Sequence, residues 1–319
     1  MKSKILQIAG DASFRTFYRI ILNKKSKIVI SATKEKYNNL IAYTAVNTFL
    51  RKNKIYTPKL YFYNYSKGIV VVEDFGDSSF YDVLLKKKNK LAIYKKLVDL
   101  LIRIQKIKPK SKINNIFNKP HIIHKYSVKY LNKESDLFFD WYLPLFLSKT
   151  KVLVIKKETK KILSEHYKNL HFRNSCFVHR DYHVQNLMKI RQKIGVIDSQ
   201  DAVIGNPAYD LASLVDDVRL KTSIKLKNQI YKYYLKKNVR INEEKFLTDF
   251  SILSVQRLLK IIGIFSRLYK RDKKKQYLKL IPYAWKLLDM RTNSKIFFRL
   301  KKILDNHIPK KIRKKILYK

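Results

Sequence analysis

The stretch "VHRDYHVQN" places His179, Asp181, His183 and Asn186 within eight residues, and Asp198 follows at the end of "KIGVID". The chain holds only 24 Asp+Glu against 71 Lys+Arg, so carboxylates spaced this way ask for an explanation. One carboxylate can take the proton of a hydroxyl nucleophile. An Asn carbonyl and a second carboxylate make a hard-oxygen pair suited to Mg2+. A base, a metal pair and a bound nucleotide are the parts of phosphoryl transfer. Two other readings compete. His179-x-Asp181-x-His183 has the residue types of a metal-hydrolase ligand set, although no further His/Asp cluster accompanies it. Polar loop residues also serve to satisfy loop backbone alone.

The flanking elements bear on the choice. "NLMKI" and "KIGVID" read as two short strands around the turn "RQK", with Phe177-Val178 as an apolar lead-in. A hairpin sets the residue before its first strand beside the residue after its second. Asp181 and Asn186 are therefore expected near Asp198. Asn206-Pro207 then opens a helix running through Leu211 to Val215, with proline at a tolerated early position.

Upstream, the first 75 residues read as strands around one helix. "SFRTFYRIIL" and "SKIVISA" are β-rich, and "YNNLIAYTAVNTFLRKN" has helical apolar spacing. "KLYFYNY", the turn "SKG" and "IVVVEDF" read as a hairpin. "EDFGD", residues 73–77, marks the passage to helix. Ser78-Ser79 caps a helix through Tyr81 to Leu85, and "KLAIYKKLVDLLIRIQKI" is amphipathic. Residues 108–125 are aperiodic with two prolines and read as a loop. The division expected is a β-rich lobe over 1–77 and a helical lobe over 78–319 carrying the catalytic loop.

Composition bounds the rest. Apolar residues at 46% argue against disorder. The lone Cys176 excludes an intrachain disulfide and fits a reducing compartment. No signal-like start and no 18-residue apolar run are present, so a soluble cytoplasmic protein is expected. The net charge of +47 suits a polyanion surface. Lysine far outnumbers arginine, and Ile, Asn, Tyr and Phe are plentiful, so a bias toward A/T-rich codons explains much of it. No specific nucleic-acid partner is expected. The basic end "KIFFRLKKILDNHIPKKIRKKILYK" reads as a packed helix with a solvated tail, with weak contact to an anionic membrane surface as the alternative.

The catalytic stretch resembles the aminoglycoside phosphotransferase/choline kinase superfamily. More of the chain resembles the bacterial N-acetylmuramate/N-acetylglucosamine anomeric kinases of cell-wall recycling. The matching stretches "GDASFRTFYRI", "FLRKNKIYTPKLYFYN", "VVVEDFGDSSFYDVL", "FFDWYLPLFL", "VHRDYHVQNLM", "IDSQDAVIGNPAYDLASLVDD" and "QRLLKIIGIFSRLYKRDKKKQYLKLIPYAW" are collinear from about residue 9 to 288. The resemblance implies an α+β, protein-kinase-like bilobal fold with a small β-rich N-lobe and a larger, mainly helical C-lobe. It implies ATP and Mg2+ as cofactors and a small-molecule sugar as acceptor. Asp181 is then the base, Asn186 and Asp198 hold the metal, His179 shapes the loop and Asp210 braces it.

On the nucleotide side, Gly10 and Ser13 would meet the phosphates, and Glu73 to Phe75 would offer backbone to the adenine. One family part is missing. Ser31 stands where a phosphate-binding lysine is usual, leaving Arg19, Lys27 or Lys34 to supply the charge. No Glu lies in the following helix, which puts the usual Lys–Glu pair in doubt, and Ser199 replaces a common aromatic. On the acceptor side, Gln200 and Asp201 sit beside a metal ligand. Arg257, Lys260 and Arg267, with Gln256, form a helical stripe that either faces solvent or meets a lactyl carboxylate, for which an Arg fork is suited. Trp141 and Tyr142 suit core packing before sugar stacking. The rivals are another small-alcohol kinase, of aminoglycoside or choline type, and a degenerate kinase fold that docks on RNA or membrane.

Overall fold

The computed structural model describes residues 3–8, 15–23, 25–32, 37–115 and 120–315. Alternation of β-branched and aromatic residues makes β2 (Thr16–Leu22) and β3 (Lys25–Ser31) a hairpin in which Thr16 pairs with Ser31. β1 (Ser3–Ile8) adds an edge strand on β2, an element the sequence reading did not assign. After α1 (Tyr37–Lys52) come β4 (Leu60–Asn64) and β5 (Ile69–Glu73), joined through Gly68 at φ 63°. The antiparallel order is β1-β2-β3-β5-β4. Ile30, Leu40, Tyr43, Val70 and Val72 form the core between this sheet and α1.

The change to helix comes where the sequence puts it. Ser79 caps α2 (Phe80–Lys86) in a reciprocal capping box with Asp82, and α3 (Leu91–Gln105) buries Leu97, Val98 and Leu101. The loop expected over 108–125 is corrected. β6 (Lys112–Asn114) and β7 (Pro120–Ile122) pair antiparallel, with Pro120 at the first strand position, where its missing N–H is tolerated. Three-residue strands are too short to show a period. β8 (Cys176–Val178) pairs with β11 (Val203–Gly205), and β9 (Leu187–Ile190) with β10 (Lys193–Val196).

The chain forms two compact units, Met1–Lys125 with Ser175–Ile204 and Tyr126–Asn174 with Gly205–Lys319. The strand-to-helix change at 77/78 is thus not where the compact units part. α2, α3 and the β9–β10 hairpin belong with the N-terminal sheet, because Lys189 N–H donates to Ser78 O and Val196 N–H to Tyr56 O.

The second unit is helical: α4 (Val128–Leu137), α5 (Lys149–Lys168), α6 (Ala208–Val215), α7 (Ile224–Lys237), α8 (Glu243–Lys270), α9 (Ile281–Thr292), α10 (Phe298–His307) and α11 (Lys310–Lys314). α8 is its axis. At Gly263 a Cβ would lie 2.3 Å from the Leu137 carbonyl carbon, so glycine permits backbone-close packing of α8 on the end of α4. Buried Asp216 receives hydrogen bonds from Arg291 Nε (2.7 Å), Lys227 Nζ (2.9 Å) and Ser254 Oγ (2.6 Å). The basic C-terminus is packed here: Arg313, 3% exposed, bonds Asp289 at 2.6 Å and Asp305 at 2.7 Å. Among the described residues no helix is long and apolar enough to cross a membrane.

Candidate active site

The site is built on β8 and the base of the β9–β10 hairpin, all within the first unit. β8 is buried throughout and delivers His179 into the interior at 0% exposure. Its Nδ1 accepts from Asp181 N–H at 3.3 Å, so its Nε2–H donates to Ile197 O at 3.0 Å. One imidazole thereby ties the Asp181 loop to the residue preceding Asp198. Tyr182, fully buried, anchors the loop from below by donating to Leu97 O in α3 at 2.7 Å.

The hairpin then brings the acids together. Ile197 N–H donates to Asn186 O at 3.1 Å, continuing the ladder one step past the Leu187–Val196 pair. Asn186 Nδ2 donates to Asp181 O at 3.0 Å and lies 3.4 Å from His183 Nε2. Those contacts orient the amide through Nδ2. Asp198 adopts φ +62° and Arg180 φ +71°, left-handed conformations that cost about 1–3 kcal/mol each and gather at functional loops. Asp198 keeps 45% of its side-chain surface accessible. Enclosure by protein first, and then the Asp181 carboxylate, push its carboxyl above the usual range; Gln200 and Arg15 act in the opposite sense. The Asp198 carboxylate and the oriented Asn186 amide oxygen are hard-oxygen donors that a divalent cation fits, with the Asp181 carboxylate acting on Asp198 beside them.

Several expected residues lie outside the described residues or are engaged in structural contacts. Gly10, Ser13 and Lys34 lie outside the described residues. Arg19 is committed to structure: its planar fork spans Asp74 (2.6 Å) and Asp77 (2.7 Å), which hold it above its ordinary pKa and clamp the turn at Gly76. Lys27 lies 4.6 Å from the Tyr61 ring centre. Glu73 accepts from Tyr56 OH at 2.9 Å and from Lys59 N–H at 3.0 Å, while the Phe75 ring packs on Tyr56. Gln200 Nε2 donates to Asp198 Oδ1 at 2.9 Å, so it positions a carboxylate. Asp201 O accepts from Arg180 Nη1 at 2.9 Å.

In the second unit, the α8 stripe does not face solvent as a whole: Arg257 is 3% and Lys260 7% exposed, and Lys260 pairs with Glu134 at 3.0 Å. Arg257 Nη1 and Arg267 Nε lack hydrogen-bond partners among the described residues. Burial first, then Arg271, draws Arg267 below its ordinary pKa. Tyr142 is core, accepting from Trp285 Nε1 at 2.8 Å. Asp210 is fully buried in the first turn of α6. Among the described residues, His179, Asp181 and His183 do not belong to any group of three or more His, Cys, Asp or Glu able to hold a metal, so the hydrolase reading has no geometric support.

The residue the sequence reading missed is Arg15. Its Nη1 lies 3.8 Å from Asp198 Oδ1, and its Nη2 donates to Asn39 Oδ1 on α1 at 3.0 Å. The β2–β3 register explains this: Ser31 pairs with Thr16, so the next residue of the neighbouring strand is Arg15. Its place in "SFRTFYRI", one residue before a paired strand, was the available signal.

The description "Phosphotransferase enzyme family" matches this chain over residues 4–245, more than half its length. The chain belongs to the phosphotransferase enzyme family. This phosphotransferase is 26% identical over 278 residues to an N-acetylmuramate/N-acetylglucosamine kinase of Caulobacter vibrioides, covering 86% of this chain and 76% of the relative. It is 27% identical over 297 residues to the like-named kinase of Pseudomonas aeruginosa, covering 90% and 83%. An ADP-bound aminoglycoside phosphotransferase shares its fold with a TM-score of 0.61 at 14% identity, over 92% of this chain and 94% of that one. The phosphotransferase is therefore a kinase, with a five-stranded N-terminal sheet followed by a mostly helical part.

Proposed function

We propose that this kinase phosphorylates a hydroxyl of an amino sugar, the anomeric hydroxyl of N-acetylmuramate or N-acetylglucosamine, in cell-wall recycling. The supporting observation is the alignment with two kinases so named over 86% and 90% of the chain. Asp181 orients the sugar hydroxyl and takes its proton. The anomeric hydroxyl is more acidic than an ordinary alcohol, so a carboxylate suffices as base. His179 fixes the loop that presents Asp181, and Gln200 fixes Asp198. Asn186 Oδ1 and the Asp198 carboxylate are the groups that would hold Mg2+, which when bound neutralises phosphate charge. Arg15, paired with Asn39, supplies the cation that Ser31 cannot, and meets the nucleotide phosphates. The first 77 residues serve the nucleotide and the helical remainder the acceptor.

The test is ADP release from ATP over N-acetylmuramate, N-acetylglucosamine, choline and kanamycin, with NMR of the product. Phosphate at C1 of an N-acetylated sugar is the expected result. Turnover of choline or kanamycin alone would assign the enzyme to a different acceptor class.

A further inference from the structure

On the first unit, a groove of about 900 Å³ lies between the end of α1, the α2–α3 pair and the turn of the β9–β10 hairpin. Arg51 and Lys54 enter it from the end of α1. Lys87, Lys96 and Arg103 line it from α2 and α3, and Lys189, Arg191 and Lys193 from the hairpin. Among the described residues, half of the sixteen that line it are cationic, against 71 of 319 in the chain, and Asp99 is the only acid. Compositional lysine would be dispersed over the surface. Like charges gathered in one concavity repel one another unless an anion is bound there.

The basic track continues. Arg51 also lines an adjoining hollow of about 290 Å³, with Lys52 and Lys59. The Lys59 ammonium lies 5.6 Å from the centre of the Tyr61 ring on the edge strand β4. There Tyr61, Phe62 and Tyr63 are 45%, 53% and 41% exposed. A cationic groove that adjoins partly exposed aromatic side chains, Tyr61 with the Lys27 and Lys59 ammoniums over its ring and Tyr63 packed on Tyr65, has the two parts of a single-strand binder: charge along a backbone and rings on which bases stack. A concave groove suits an extended strand better than the flat face of a bilayer.

We propose that this groove binds single-stranded nucleic acid by its phosphodiester backbone, with the β4 aromatics as stacking positions. None of these residues belongs to the proposed catalytic set, so the inference stands apart from the choice of acceptor.

The test is fluorescence anisotropy of a labelled 15-mer oligouridylate with the full chain, from 50 to 300 mM NaCl. The triple variant Lys87→Glu, Lys96→Glu, Arg103→Glu is compared with a matched reversal on α5, Lys151→Glu, Lys157→Glu, Lys161→Glu. The groove triple should weaken binding by about tenfold or more and reduce the log–log salt slope by about 2, at roughly 0.7 per lost phosphate contact. The α5 triple should change affinity less than about twofold. Tyr61→Ala with Tyr63→Ala should weaken oligouridylate by about fivefold or more and leave inorganic polyphosphate binding unchanged. Excess ATP should not displace the oligomer. Equal loss in the two triples would reduce the effect to bulk charge and overturn the proposal. So would indifference of both oligouridylate and polyphosphate to the tyrosine variant, or displacement by ATP.

Discussion

Arg15 Nη1 stands 3.8 Å from Asp198 Oδ1, and the same guanidinium is held by Asn39 of α1. The residue preceding β2, helix α1 and the end of the β9–β10 hairpin are thus joined through one buried cation. Arginine suits the position because it stays charged when buried and its fork serves two acceptors at once.

Arg15→Ala should raise the KM for ATP by about tenfold or more, since a hydrogen bond to a charged group contributes about 1.5–3 kcal/mol. Arg15→Lys should recover part of the loss, because the charge returns without the fork. Steady-state kinetics with ATP varied at saturating acceptor read this directly. An unchanged KM would remove Arg15 from the nucleotide site.

Gly263 carries a prediction about stability alone. Any Cβ there meets the Leu137 carbonyl carbon at 2.3 Å, and backbone cannot turn aside as a side chain can. Gly263→Ala should destabilise the protein by about 1–3 kcal/mol despite alanine's better helix propensity. Thermal unfolding measures the sign, and a rise in Tm would mean that α8 and the end of α4 are not in backbone contact.

Acid sensitivity follows from Asp216. Burial alone would raise its pKa; Arg291 and then Lys227 outweigh that and hold it well below the usual carboxylate range. Lys227 itself is drawn below its ordinary value because its own burial outweighs Asp216, so Arg291 is the partner that fixes the sign. A carboxyl lowered on folding contributes stability that is whole above about pH 4 and is lost as pH falls through its folded value. Asp216→Asn should cost about 3–5 kcal/mol at pH 7 by leaving buried cations unpaired. Its urea-unfolding free energy should also fall less steeply below pH 4 than that of the unaltered chain. A parallel pH dependence would place the acid-labile group elsewhere.

Much of this was legible in the residues. Strands β2 to β5, helices α1 to α3 and the β9–β10 hairpin follow from period and turn chemistry, and the hairpin alone brings Asn186 beside Asp198. Three features were not. β1 is a half-polar edge strand whose only partner among the described residues is β2, so little in its own pattern marks it. β6 and β7 are three residues each and depend on their mutual pairing. The roles of Arg15 and Arg19 are decided by register and by Asp74 and Asp77, contacts that are remote in sequence.

In the proposed reaction Asp181, Asn186 and Asp198 act together on one phosphoryl transfer, with Asp181 as base. The direct measurement is kcat for Asp181→Asn, with nucleotide affinity determined in parallel by calorimetry. The variant should bind ATP within about threefold of the unaltered enzyme, because the amide keeps the loop's shape, while kcat falls by about 10²–10⁴. A kcat within tenfold of the unaltered enzyme, at intact ATP binding, would contradict it.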